Sequence, residues 1–356
     1  MTAELVAGAL AGADQALAGG DAVAALTALR PVLDHTGVAP ERLAGRDWAA
    51  VATTLGLVAG GLGFDALAER AGRAAGDPDG IDSLFDLGYE LFEVGLPGMA
   101  ATVLERAIDG LPDPGGAVSD ELVLSELVVA LEDNGTHRRA RELLQARPGP
   151  LAASFMLRYL LAFNSIMDGD LPAIRAAAPG LAPGDEEEAV MAARIGRMLA
   201  RADAVAGVCR LDRRDLRGWH FVLTGGLLLH LSSYGRDEGM SGRYAYTQDD
   251  EGRCLEGVRR LAATLDAIRV PPPRVLALPD RDSLALAWAL GAELGRPVAP
   301  PSAANLAEPG LIVACDLAGA DDGTAADLVG HRPGQVLWAH ASEWTANLPY
   351  AADLTT

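Results

Sequence analysis

Aromatic residues are scarce. Phe, Trp and Tyr make up 5% of the 356 residues, although half the chain is hydrophobic. A core short of rings has to be built from Ala, Leu and Val, which favours helices packed through small side chains. Basic residues are also few, 29 against 49 acidic ones, for a formal net charge of −20. A surface this acidic repels phosphate backbones and anionic lipid. It argues against nucleic acid and membrane surfaces as partners and favours a basic protein or peptide. There are only three cysteines, Cys209, Cys254 and Cys315, far apart and with no CxxC pair. That argues against a disulfide framework and a structural zinc site, and buried, reduced thiols are expected. Long apolar runs are missing too. The greasiest stretch, "FVLTGGLLLHLSSYG", is shorter than the ~18–20 residues of a membrane helix and is broken by Gly-Gly. The first twenty residues contain Glu4 and Asp14 and no basic n-region, unlike a signal peptide. A cytoplasmic location is expected. Neither a Walker loop, nor a G-x-S-x-G elbow, nor G-x-G-x-x-G after a strand is present.

The length exceeds what one compact core usually holds, so two domains are expected. In the first half, Gly63, Gly95, Gly135 and Gly169 recur at intervals of 32, 40 and 34 residues. The longer interval contains the loop "LPDPGGAVS". In "LFDLGYELFEVGLPGMAATVLERAIDGLPDP", Leu84, Leu87, Gly88 and Leu91 share one helical face. Gly95 closes that helix, and Ala100, Leu104 and Ala107 share a face of the next. "LVLSELVVALEDNGTHRRARELLQARP" repeats these offsets with Leu124, Leu127, Leu131, Gly135, Ala140 and Leu144. Looser copies stand around Gly169, around Gly63 and near the start. "DEEEAVMAARIGRMLARADAVAG" follows as a polar closing helix. The pattern resembles the tetratricopeptide repeat family, with Leu in place of the usual rings and a period of about 34 residues. The resemblance implies a helical solenoid that contacts a protein or peptide. Arg138, Arg139, Arg141 and Asn164 are the candidates for a peptide-carboxylate clamp.

After about residue 206 the pattern changes. "WHFVLTGGLLLHLS" has two β-favouring runs around Gly225-Gly226, the signature of a tight hairpin. In that hairpin His220 and His230 would point to opposite faces, so they are read as structural. "RYAYTQDD" is a candidate third strand. "DEGRCLEGVRRLAATLDAIR" is an amphipathic helix. The strands "RVLALP", "GLIVACDL" and "GQVLWAHA" then alternate with the helices "DSLALAWALGAELG", for which Asp282 or Ser283 is the candidate cap, and "GTAADLVG". Short apolar strands alternating with helices predict βαβ units and a mainly parallel sheet. The chain is thus read as a multi-domain protein. Residues 1–205 form an all-α, TPR-like solenoid, and 206–356 an α/β domain with an N-terminal β-hairpin.

In such sheets ligands bind beyond the carboxyl ends of the strands, where "PDRDS" and "DLAGADDGT" fall. The run "RVLALPDRDSLALAWALGAELGRPV…GLIVACDLAGADDGTAADL…GQVLWAHAS" resembles the core of type I phosphoribosyltransferases. In that family a strand runs into two adjacent acidic residues, and a Thr/Gly loop then wraps the 5-phosphate of phosphoribosyl pyrophosphate. The resemblance implies that Asp316 stands where the family holds the ribose hydroxyls. Cys315 replaces the first acidic residue, and Gly319-Ala320 replaces the Thr-Gly. Asp321 and Asp322 then place negative charge where a phosphate would sit, and Gly323-Thr324 offers a hydroxyl only in a longer loop. A phosphoribosyltransferase-like domain without its chemistry is expected.

The candidate ligand-binding residues are Asp280, Arg281, Ser283, Asp316 and Thr324. Arg236 and Arg243 join them, on a polar glycine-rich stretch with Tyr244 and Tyr246 that reads as a cover for the sheet. Asp316, Asp321 and Asp322 are an alternative carboxylate set for Mg²⁺; otherwise no cofactor is expected. His331 and His340 have no partner at ligand spacing. The functional expectation is a cytoplasmic interaction or scaffold protein whose repeat array is the contact surface. The alternative is a divergent phosphoribosyltransferase-like enzyme, or a nucleotide- or phosphosugar-binding protein, using Mg²⁺.

Overall fold

The computed structural model describes residues 3–38, 43–109, 120–244, 248–299, 302, 307–318, 320–329, 332–341 and 350–356. It divides into two compact units, Met1–Asp168 with Pro172–Ile195, and Gly169–Leu171 with Gly196–Thr356. The division falls inside a helix, Glu186–Val205, upstream of residue 205.

The first unit is helical. Its elements are α1 (Ala3–Ala18), α2 (Ala22–Leu33), α3 (Gly45–Leu62), α4 (Asp65–Gly76), α5 (Ile81–Glu93), α6 (Pro97–Asp109), α7 (Asp120–Asp133), α8 (His137–Gln145), α9 (Pro148–Ala153) and α10 (Phe155–Met167). After α10 come α11 (Leu171–Ala177) and α12 (Glu186–Val205). Helices pack in sequential pairs, α1 on α2, α3 on α4, α5 on α6 and α7 on α8. The glycines aligned in the sequence make the turns: Gly63, Gly95, Gly135 and Gly169 have φ of 82°, 79°, 68° and 71°, and Gly20 has 77°. A side chain would strain that left-handed conformation, which is why glycine recurs there. The expected faces are buried, Leu84, Leu87, Gly88 and Leu91 on α5 and Leu124, Leu127 and Leu131 on α7. A Cβ on Gly88 would lie 2.6 Å from Leu104 Cγ, so the glycine marks the close approach of α5 and α6.

Helix α6 differs from its neighbours. It is buried nearly all round, including Glu105 and Arg106, because α2 and α7 pack on it as well as α5. In a simple solenoid each repeat touches only its sequence neighbours. Here the segment after α2 reaches α6 directly, with the His35 amide donating to Gly98 O and Asn134 Nδ2 donating to His35 O.

The second unit contains a six-stranded, all-parallel sheet, in the order β1-β6-β5-β4-β2-β3. Its elements are α13 (Leu216–Thr224), β1 (Leu227–Leu228), α14 (Ser233–Glu238), a 3-10 segment (Gly239–Tyr244), α15 (Glu251–Ala267), β2 (Val275–Ala277), α16 (Arg281–Leu294), β3 (Val298–Ala299), β4 (Gly310–Ala314), α17 (Asp322–Val329), β5 (Gln335–Ala339) and β6 (Leu354–Thr355). Alternate strand residues face opposite sides. Val275, Ala277, Leu311, Val313 and Trp338 pack on α15 and α16, while Leu276, Ile312, Ala314, Leu337 and Ala339 form a second core with Leu328 of α17.

The expected N-terminal hairpin is absent. Residues 216–224 are helical, and β1 pairs with β6 in parallel. Caps decide the outcome. The Asp215 side chain accepts the Gly218 amide at the helix start, and Gly225, at φ 84°, ends the helix. Gly226 is not the second half of a turn: a Cβ there would sit 2.1 Å from Ala352 O, where β1 enters the sheet. His220 is structural, but as a helix residue, with Nδ1 3.0 Å from Gly226 O. Within "RYAYTQDD", Tyr244 ends the 3-10 segment, residues 245–247 lie outside the described residues, and 248–250 are not strand.

Candidate functional site

The topology itself places a candidate site. From β2 the chain passes through α16 to β3 on one side. From β4 it passes through α17 to β5 on the other. The neighbours β2 and β4 therefore flank a topological switch point, and ligands of open parallel sheets bind beyond the carboxyl ends of such strands. Here those ends are Asp280 and Cys315-Asp316.

The switch point is stitched shut by its own residues. Asp280, not Asp282 or Ser283, caps α16: its Oδ1 accepts the amides of Asp282 at 3.1 Å and Ser283 at 2.8 Å. Those are the N–H groups a helix N-terminus would offer a phosphate. Ser283 is fully buried, and its Oγ accepts the Cys315 amide at 2.7 Å, so the hydroxyl bridges the two strand ends. Arg281 points into solvent beside Asp282. Asp316 Oδ1 accepts the Ala318 amide at 2.9 Å.

The loop before α17 is closed in the same way. Asp321 Oδ1 accepts the Thr324 amide at 3.0 Å, and Oδ2 accepts the Thr324 hydroxyl at 2.9 Å. These bonds hold the Asp321 carboxyl below its ordinary range. The one hydroxyl the loop could have turned to a phosphate is thus bonded to a carboxylate. The Asp322 side chain, His331 and Tyr246 lie outside what is described.

Arg236 is exposed on α14. Arg243 is buried and donates to Met240 O at 2.6 Å. The stretch expected as a cover is packed around Gly239 and Gly242: a Cβ on Gly242 would meet Tyr234 O at 2.1 Å, and one on Gly239 would meet Arg213 O at 2.2 Å.

A different group converges next to this edge. His340 directly follows β5, Cys254 is in the first turn of α15, and Asp249 precedes the α15 cap Asp250. His340 Nε2 lies 2.7 Å from Asp249 Oδ2 and 3.7 Å from Cys254 Sγ, and Cys254 Sγ lies 3.4 Å from the same carboxylate oxygen. Among the described residues this is the one group of three metal-ligating side chains. Burial, and then the Asp249 carboxylate, push the Cys254 thiol up to about 11. Burial also pushes Cys315 up to about 11, with Asp282, Asp280, Asp249 and Asp316 adding to it. The carboxylates named for Cys315 make this edge strongly negative. Burial alone would raise Asp249, but the charge and hydrogen bond of His340 and the bond from Cys254 hold it below normal.

Spacing along the chain hid this group. Asp249 and Cys254 are close in sequence, but His340 is 86 residues beyond Cys254. The usable signal was the position of His340 at the carboxyl end of the predicted strand "GQVLWAHA", the kind of position that singled out Asp280 and Asp316.

In the helical unit the clamp candidates are spent internally. Arg139 Nε pairs with Glu105 at 2.7 Å, Arg141 Nη2 with Asp168 at 3.0 Å and Arg138 Nε with the same Asp168 at 3.4 Å. Asn164 is fully buried between Glu132 and His137. No protein-family model, curated protein or solved structure matches the chain.

Proposed function

We propose that this chain is an interaction protein of tetratricopeptide type, whose array of helical pairs contacts a protein partner, and whose α/β unit does not transfer phosphoribosyl groups. One observation supports the second half most strongly. Both Asp321 oxygens are committed to Thr324, and Asp280 takes the first amides of α16. A phosphate dianion at this edge would have to break those bonds and enter beside Asp280, Asp282 and Asp316, with Arg281 turned to solvent. Mg²⁺ held by Asp316, Asp321 and Asp322 fits poorly for a related reason, because Asp316 and Asp321 already turn oxygens to backbone amides.

The first half rests on the recurring helical pairs and their glycine turns. The internal pairing of Arg138, Arg139, Arg141 and Asn164 disfavours a peptide-carboxylate clamp, so the contact is assigned to apolar side chains. Leu57 on α3 and Tyr89 on α5 are exposed, each on the first helix of its pair.

The test is affinity capture with the full chain and with a Leu57→Glu/Tyr89→Glu variant. A partner held by the first and lost by the second supports the array as contact surface. Equal retention by both removes these helices from it. Thermal unfolding with phosphoribosyl pyrophosphate and Mg²⁺ tests the other half, since tight binding to the folded state must raise the midpoint. A rise abolished by Asp316→Asn would establish the enzyme reading instead.

A further inference from the structure

We infer that Asp249, Cys254 and His340 form a zinc(II) site at the carboxyl edge of the sheet, with its fourth position open to water or a ligand. Three atoms of three chemistries, carboxylate Oδ2, thiol Sγ and imidazole Nε2, lie within 4.8 Å of one another. Ligand atoms around a tetrahedral zinc stand about 3.3–3.6 Å apart, given bonds of about 2.0–2.3 Å. The sulfur already sits 3.4 Å from the oxygen and 3.7 Å from the nitrogen. Only the Asp249–His340 separation of 2.7 Å has to widen, as one hydrogen bond gives way to two metal bonds.

The same atoms could suggest a Cys-His-Asp catalytic triad, but the geometry rejects it. A triad uses both ring nitrogens, one for the nucleophile and one for the carboxylate. Here thiol and carboxylate both address Nε2. Nδ1 is buried with no hydrogen-bond partner among the described residues, close to where a Gly257 Cβ would stand, at 2.8 Å. Convergence on one point is what a metal centre requires. Sulfur and imidazole donors favour zinc over Mg²⁺ or Ca²⁺, which take oxygen. Binding needs no co-reactant: the Cys254 thiol releases its proton to solvent, and the imidazole carries its single proton on Nδ1. His340 is buried while the Asp249 side chain is 44% exposed, so the site has a fixed floor and an open side. The acidic residues around it attract a cation, the opposite of their effect on a phosphate.

The experiment uses the untagged full chain, since a histidine tag binds zinc itself. After equilibration with zinc and dialysis, metal content is measured for the parent chain and for Cys254→Ser, Asp249→Asn and Cys209→Ser, each checked for folding by circular dichroism. One zinc per chain is expected in the parent and in Cys209→Ser. Affinity should fall at least about 100-fold in Cys254→Ser, because loss of a direct ligand exceeds the 10–100-fold cost of losing an outer-shell partner. Cobalt(II) in the parent should show a thiolate charge-transfer band that Cys254→Ser removes. No retained zinc in the parent chain overturns the proposal. So does zinc held equally well by folded Cys254→Ser and Asp249→Asn.

Discussion

Two histidine–carboxylate pairs in this molecule have opposite surroundings. In the helical unit His35 Nε2 lies 3.2 Å from Glu105, and Arg139 reaches the same carboxylate oxygen. Both members of that pair are buried, α6 is enclosed on several sides, and a guanidinium completes the charge balance. In the α/β unit His340 lies 2.7 Å from Asp249, with a thiol beside them, and the carboxylate faces solvent. The first cluster is enclosed: a buried imidazole and a guanidinium face one buried carboxylate oxygen, and His35 Nδ1 accepts the Gly37 amide. In the second, imidazole, thiol and carboxylate also meet one another, but the carboxylate side chain is 44% exposed. Closure, more than residue type, separates a structural polar cluster from a candidate site.

The sharpest way to break the comparison is to open the closed pair. Glu105→Ala leaves buried His35 and half-buried Arg139 without their carboxylate and should cost about 3–5 kcal/mol, read by urea unfolding of the full chain. A cost under about 1 kcal/mol would mean that the cluster contributes no more than an exposed pair. Burial raises the Glu105 carboxyl, but the His35 and Arg139 bonds outweigh it and hold it below normal. That contribution is present above the ordinary carboxylate range and is lost as pH falls through the depressed value.

Glu132 is the converse case within the same unit. Burial holds its carboxyl up to about 7 against an ordinary 4.5, with Asp133 adding and the Asn164 hydrogen bond and Arg194 opposing. Between those values the folded chain keeps a proton that the unfolded chain releases, so stability falls as pH rises from about 4.5 to about 7. The loss is at most about 3 kcal/mol. Glu132→Gln should be neutral at pH 5 and stabilising at pH 8, and equal effects at both values would refute the assignment.

Gly88→Ala should cost about 1–3 kcal/mol in thermal or urea unfolding, because the new methyl meets buried Leu104. Gly60→Ala, with open space around its Cβ position, is the control and should be neutral or slightly stabilising. Asp280→Ala removes the α16 cap for about 1 kcal/mol. If that variant instead gained stability with phosphoribosyl pyrophosphate present, the cap would be masking an anion site.

Much of the fold was legible because local rules act over short distances. The glycine spacing marked helix ends at Gly63, Gly95, Gly135 and Gly169, and all four have left-handed φ. The apolar runs at β2, β4 and β5 were strands. The hairpin around Gly225-Gly226 failed because Trp219, Phe221 and Val222 favour strands in isolation. Asp215 and Gly225 overrode that preference by capping a helix. Strands β1, β3 and β6 have two residues each, too few to carry a period. The Asp249, Cys254 and His340 group was invisible because only the sheet brings residue 340 back to the start of α15. The candidates at the β2 and β4 ends were placed correctly, at strand ends, but their bonding partners could not be read from one-dimensional order.

We propose that the carboxyl edge of the sheet accepts a cation and not a phosphate. Thermal unfolding of the untagged full chain, with zinc in one arm and phosphoribosyl pyrophosphate plus Mg²⁺ in the other, tests this directly. The predicted result is a higher midpoint with zinc, lost in Cys254→Ser, and no change with the phosphosugar. A midpoint raised by the phosphosugar and unmoved by zinc would contradict it.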